Sequence, residues 1–141
     1  MKIISEDVLG IVTIWQEANG EPYQGKVCVG EVIRNRMEAR HFSDGTVAGT
    51  VCWPRQFSGW NDNNRNRALS LKIDDSHPVV IECIRAWYES AKTNFTKGSL
   101  FYLNVDLVRH NNDGLLPKWW LTDTVADGEI KIGDHTFRRK R

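Results

Sequence analysis

The chain is short of several things that would settle its class at once. Its 141 residues contain three cysteines, Cys28, Cys52 and Cys83. An odd number with no close pair argues against a disulfide framework or a zinc site, and the three read as reduced packing residues. No apolar run approaches the length needed to span a bilayer. The opening MKIISEDVLG has no charged leader, no long apolar stretch and no small-residue cleavage site, so a signal peptide is not expected and synthesis in the cytoplasm is. Charge imbalance is missing too. With 19 Lys and Arg against 18 Asp and Glu the net charge is +1, which removes the general reason to expect nucleic acid or acidic lipid as a partner. One local exception, RRKR from Arg138 to Arg141, reads as a solvated tail, with an anionic envelope polymer or nucleic acid as its other possible contact. His41, His77 and His110 have no carboxylate or cysteine at metal-ligand spacing, so neither a metal nor another cofactor is implied.

What is present is enough to fold. A chain of this length buries a core without staples, and no repeat or linker divides it, so residues 1–141 are expected to form one domain and a monomer. Ser5 to Asn19 predicts a helix, with Ser5 as cap and an apolar run that stops at Gly20 and Pro22. A second helix is expected from Tyr23 to about Arg40, with Val29, Val32, Ile33 and Arg36 on one face. The segment SHPVVIECIRAWYESAK predicts a third, with Ser76 as cap and Pro78 in the first turn. Between the second and third, SDGTVAGTVCWPRQFSGWNDNNRNR reads as a short helix or strand and then a long irregular loop, which inside a compact domain is usually functional. TNFTKGSLFYLN leads into a short strand and HNNDGLLPKWW reads as a loop. TVADGEIKIGDHTFRRK predicts a terminal hairpin or meander with turns at Asp127–Gly128 and Gly133–Asp134. The fold class is therefore α+β, mainly helical with a small β region.

Six tryptophans stand out in so short a chain. Trp15 and Trp87 lie in helical patterns and read as core. Trp53, Trp60, Trp119 and Trp120 lie in turn-rich stretches and are the better candidates for a binding surface.

At about 100° per residue, Glu17 falls with Glu6, Gly10 and Thr13 on the narrow stripe that the apolar residues of the first helix leave, and Trp15 points the other way. A carboxylate there is either solvated, as most are, or faces a cleft. In a cleft, apolar neighbours would raise its pKa and keep a proton available near neutrality.

Five stretches, EANGEPYQGKVCVGEVIRNR, WPRQFSGW, FTKGSLFYLN, LPKWW and IGDHTF, resemble in order and spacing the SleB-like cell-wall hydrolase family, which includes spore-cortex-lytic enzymes and lysins. The resemblance covers about residue 8 to residue 137. It implies a lysozyme-like fold, peptidoglycan glycan strands as the partner, and cleavage between N-acetylmuramic acid and N-acetylglucosamine. It also implies that the first glutamate of the E-A-x-G-E stretch, Glu17, is the catalytic acid. The leaderless small chain looks like a bacteriophage lysin, which would act on the host wall or envelope.

Glycoside cleavage needs one protonated carboxyl group to release a poor leaving oxygen. Glu21 follows a helix break and reads as a structural carboxylate instead. Asp62 is the acid nearest the aromatic loop and reads as turn chemistry. The spore-lytic relatives behave as lytic transglycosylases, in which the acetamido group or 6-hydroxyl of the substrate closes on C1, and that one-carboxylate route is favoured here. Gln56, Phe57, Ser58 and Trp60 of QFSGW, Tyr102 and Asn104 of LFYLN, and Trp119 are the expected substrate-binding residues. Phe57 has an equal claim as a core anchor, and one of Trp119 and Trp120 is expected to pack. Leu103, and NFTKG in place of D-P-T-x-G, depart from the family pattern. His135 matches a family position and reads as structural. A hydrolysing muramidase, a non-catalytic sugar-binding domain and, weakest, a nucleic-acid-binding module are the competing readings.

Overall fold

The computed structural model describes residues 5–61, 64–70 and 72–141. The apolar periodicity near the start becomes α1 (Glu6–Ala18). Ser5 precedes it in extended conformation but gives no side-chain cap; its carbonyl takes the Leu9 N–H at 3.2 Å. Helix α2 (Tyr23–Ala39) starts after Pro22 and ends at Arg40, whose left-handed backbone (φ 53°) turns its N–H onto the carbonyls of Arg36 and Met37.

From Gly25 to Ile33 every residue of α2 is buried, which makes it the central helix of the domain. Two of those residues carry charge, and each has partners. Lys26 reaches Glu82 at 3.2 Å and the Glu21 carbonyl. Glu31 accepts four hydrogen bonds, from Thr93, the Phe95 amide and both donors of Thr96. Buried charge is tolerated on those terms, and here it pins the turn that feeds the sheet.

The long polar stretch after α2 holds more structure than its composition predicts. It contains α3 (Val47–Val51), capped by the Thr46 hydroxyl accepting from Gly49 at 2.9 Å, then a 3₁₀ turn at Ser58–Trp60, then α4 (Arg65–Ser70). Asp62 lies outside the described residues. Helix α5 (Pro78–Glu89) is capped by His77, not Ser76. Nδ1 of His77 accepts the Val79 N–H at 3.1 Å, while Ser76 bonds to Asp74. A proline at the first helical position puts the cap one residue before it.

The remainder alternates short elements: β1 (Phe101–Leu103), α6 (Val105–Asn111), α7 (Lys118–Asp123), β2 (Thr124–Ile132) and β3 (His135–Lys140). HNNDGLLPKWW is thus only partly a loop. Asn104 caps α6 by accepting the Leu107 N–H at 3.0 Å, and Pro117 opens α7. The strands form an antiparallel sheet in the order β1-β3-β2. Only Gly133–Asp134 turns the chain. Asp127–Gly128 lies inside β2, where the ladder skips from Val125 to Ile130 around a bulge. Phe137 of β3, fully buried, packs on Cys28 and Val32 and ties the sheet to α2.

Two further expectations change and a third is resolved. Cys28 and Cys83 pack inside, but Cys52 is exposed at the end of α3. Trp120 is fully buried with Leu100 and Phe101, whereas Trp119, turned by about 100° along the helix, is 40% exposed. RRKR is no free tail: Arg138 bonds Glu129 at 2.6 Å, Arg139 bonds the Asp127 carbonyl, and Arg141 bonds those of Thr122 and Thr124. Trp87 is core as expected, and Trp15 is half-buried against it. Among the described residues no helix is long and apolar enough to cross a membrane, and no group of three or more His, Cys, Asp or Glu is placed to hold a metal.

Helix α1 lies so close to α5 that a Cβ at Gly10 would stand 2.7 Å from three carbons of the Trp87 indole. That ring is held by its N–H to Asp7 at 2.8 Å and by the Arg34 guanidinium 3.9 Å above it. Gly10→Ala gains about 1 kcal/mol of helix propensity. It forces an overpacking cost of about 1–3 kcal/mol at the same time. We expect a net loss, read as a lower urea midpoint; a raised midpoint would show that the indole gives way.

Candidate active site

Four elements converge at the end of α1. The helix is apolar enough to be pressed into the core, and its stripe of Gly10, Thr13 and Glu17 faces inward to neighbouring segments. Gly10 meets Trp87, Thr13 takes the Trp60 indole N–H at 2.8 Å, and Glu17 opens into a cleft of about 480 Å³. Arg36 reaches the same cleft from α2, Tyr102 from β1 and His135 from β3. The loop before the 3₁₀ turn contributes Gln56, and the turn itself Ser58.

Glu17 is fixed through one oxygen. Oε2 accepts the Tyr102 hydroxyl at 3.0 Å. Oε1 is buried and completes no hydrogen bond among the described residues. Burial is the largest influence and raises the Glu17 pKa. The Tyr102 hydroxyl, the Gly59 backbone N–H and the Arg36 guanidinium pull it down without overcoming that effect. Oε2 accepts the tyrosine hydrogen bond, and burial shifts the carboxyl in the direction a general acid needs, toward holding its proton to higher pH.

The surroundings hold that carboxyl rigidly. The Tyr102 ring packs at a tilt against His135 and Phe137, at centroid distances of 4.9 and 5.6 Å, and desolvation pushes its hydroxyl pKa well above the ordinary phenol value. Arg36, 6% exposed, donates to the Leu100 carbonyl at 2.8 Å and to Gln56 Oε1 at 3.3 Å. Burial lowers its pKa, but a guanidinium stays charged, so the cleft wall has a fixed positive charge. Nδ1 of His135 lies 3.2 Å from Glu21, yet burial outweighs that carboxylate and lowers the imidazole pKa, leaving it neutral. Glu21 also accepts the Asp134 N–H at 3.0 Å and so anchors the hairpin turn to the start of α2.

Of the residues expected at the site, Gln56, Ser58, Tyr102, Asn104 and Trp119 line the cleft together with Glu17. Trp60 lines an adjoining depression. Phe57 is 2% exposed and sits under the Arg36 guanidinium as part of the core, so at most an edge of its ring is open. Asn104 also caps α6, so it serves the backbone as well as the cleft. Sequence reasoning missed Arg36, Arg55, Phe42 and Asp123, all of which line the cleft. Only Arg36 carried a signal, a cation on an apolar helix face. Phe42 and Arg55 have left-handed backbones, φ 47° and 68°, a conformation that no residue pattern announced.

The family model described as Cell Wall Hydrolase matches residues 20–138, a span that begins just after Glu17. A spore cortex-lytic enzyme of Oceanobacillus iheyensis is 34% identical over 94 residues, covering 66% of this chain and 30% of that protein. One from Bacillus cereus is 29% identical over 125 residues, covering 88% of this chain and 40% of the relative. The chain therefore spans well under half the length of these curated relatives. The catalytic domain of the germination-specific lytic transglycosylase SleB from Bacillus anthracis matches 97% of each chain with a TM-score of 0.66 and 25% identity. The mainly helical α+β fold with a small antiparallel sheet is thus shared with a solved relative.

A carboxyl whose pKa is raised on folding favours the native state least when it must ionise. Below its ordinary value of 4.5 it is protonated in both states and makes no difference. As pH rises from there to the folded pKa, the unfolded chain ionises first, and Glu17 increasingly destabilises the fold. Glu17→Gln keeps an acceptor for Tyr102 and cannot ionise. Urea unfolding at pH 4 and pH 8 is expected to show the variant gaining on the wild type at the higher pH; a loss there would mean that the carboxylate is stabilised in place.

Proposed function

The chain belongs to the cell wall hydrolase family, and on that premise we propose that residues 1–141 act as one catalytic domain that cleaves peptidoglycan glycan strands, as a lytic transglycosylase with Glu17 as its acid–base group. The proposed target is the β-1,4 bond between N-acetylmuramic acid and N-acetylglucosamine. The observation that carries this reading is the Glu17 carboxyl, its pKa raised by burial at the wall of an open cleft and its Oε2 held by the Tyr102 hydroxyl.

In the proposed reaction Oε1–H of Glu17 protonates the bridging oxygen, the C1–O bond breaks, and positive charge develops on the muramic ring. Glu17 is now a carboxylate. The Tyr102 hydroxyl and the Arg36 charge, which oppose its protonation at rest, stabilise it at this stage and cost no rearrangement. The carboxylate then removes the proton from the 6-hydroxyl of the same sugar as that oxygen closes on C1, leaving a 1,6-anhydro end. Atoms balance without water.

A mechanism with two carboxylates needs an acid opposite Glu17. Among the described residues the other carboxylate lining the cleft is Asp123, which is exposed and hydrogen-bonded to the Thr122 hydroxyl at 2.8 Å. It is not held in a dry wall as Glu17 is. The solved relative is a lytic transglycosylase, which also supports the one-carboxylate route.

Glu17→Gln is expected to retain the fold and binding of glycan while lowering turnover on purified peptidoglycan about 10²–10⁴-fold, the usual contribution of a positioned acid. Turnover close to wild type would remove Glu17 from the chemistry and favour a non-catalytic domain. Mass spectrometry of wild-type products is expected to show 1,6-anhydromuramic ends; hydrated reducing ends would instead make the protein a hydrolysing muramidase on the same site.

A further inference from the structure

The groove continues past the cleft at both ends. On one side the cleft shares Arg55 with a depression of about 540 Å³ lined by Trp53, Trp60 and Arg67. On the other it shares Glu17, Asn104 and His135 with one of about 430 Å³ beside Glu21 and Asp134. Shared lining residues set the two depressions beside the cleft, and Glu17 lines both the cleft and the second of them.

The arms differ in charge. The Trp53–Trp60 arm has two arginines and no carboxylate among its described lining residues, and Glu6, the acid that acts on nearby Cys52, is taken up by the Ala48 N–H at 2.7 Å. The opposite arm holds Glu17, Glu21 and Asp134 and no lysine or arginine among its described lining. Arg55 is exposed, makes no ion pair or hydrogen bond among the described residues, and is kept at the junction by a left-handed backbone that costs free energy outside glycine. A guanidinium beside two indoles suits a flexible anionic chain with apolar parts, because it can bind a carboxylate by a pair of hydrogen bonds while the rings cover aliphatic groups.

Of the two sugars in the proposed substrate, only muramic acid bears such a chain: a lactyl ether extended by a short peptide with free carboxylates. We propose that the basic arm receives this peptide stem and that Arg55 pairs with one of its carboxylates, which places the stem-bearing sugar on the Arg55 side of Glu17 and the released N-acetylglucosamine on the acidic side. The assignment rests on the peptidoglycan reading above.

Binding separates this assignment from catalysis. Soluble stem-bearing glycan oligomers, free of phosphate-containing wall polymers, are compared with the same oligomers after carbodiimide coupling has converted their carboxylates to methylamides. Each is titrated calorimetrically into Glu17→Gln protein. The charged oligomers are expected to bind about three- to tenfold tighter, as for one partly exposed charge-assisted contact. That preference should shrink as salt rises from 0.05 to 0.5 M, values chosen to span strong and weak screening. Adding Arg55→Gln should abolish it, and Arg55→Lys should restore part of it. Equal affinity for both oligomers, a preference indifferent to salt, or one that survives Arg55→Gln in a protein with unchanged near-ultraviolet circular dichroism would overturn the proposal. If wild-type protein cleaves neither oligomer while the preference is present, the lytic reading fails and the anion-binding role of Arg55 stands.

Discussion

A carboxyl group drawn into a protein must find enough positive field or hold its proton more tightly, and Glu17 is placed between those demands. Its helix is pressed into the core by apolar residues on most of its surface, so the one acidic side chain near its end cannot turn to solvent without exposing Ile14 or Ala18, both almost fully buried. Burial raises its pKa. Tyr102 and Arg36 limit the rise. Both partners favour the ionised form, so each would support a carboxylate at this position. The rest of the site follows from holding those two partners in place.

That task is distributed over distant parts of the chain. Arg36 is aimed by the Leu100 carbonyl and by Gln56, and Tyr102 packs against two rings from β3. Strand β3 is in turn the central strand, bonded to β1 and β2 and packed through Phe137 against α2. Even Glu31, far from any chemistry, matters indirectly, because its four hydrogen bonds set the turn before β1. The geometry of the cleft depends on a rigid scaffold more than on the cleft residues alone.

Much of the scaffold was readable because its signals are local. A helix declares itself through apolar spacing, a proline at its start and a break at its end, and α1, α2 and α5 lie within a few residues of where those signals put them. The misses have equally local causes. His77 caps α5 because Pro78 fixes the register, and any polar side chain in that slot can accept the amide. Helices α6 and α7 hide in an asparagine-rich stretch because each is too short for periodicity to emerge, and only their caps, Asn104 and Pro117, mark them. Asp127–Gly128 looks like a turn, but a bulge uses the same left-handed glycine.

The sequence by itself determined the three long helices, the existence of a terminal hairpin and the choice of Glu17 as the residue to question, since each depends on neighbours within a turn or two. Only the tertiary structure decided which way Glu17 faces, which of Trp119 and Trp120 is open, and that Arg36 and Tyr102 meet the carboxyl. Those outcomes depend on contacts between residues as far apart as Glu17 and Tyr102, 85 positions along the chain. Such contacts leave no periodic trace, because what brings them together is the packing of whole elements and not the preferences of any one of them.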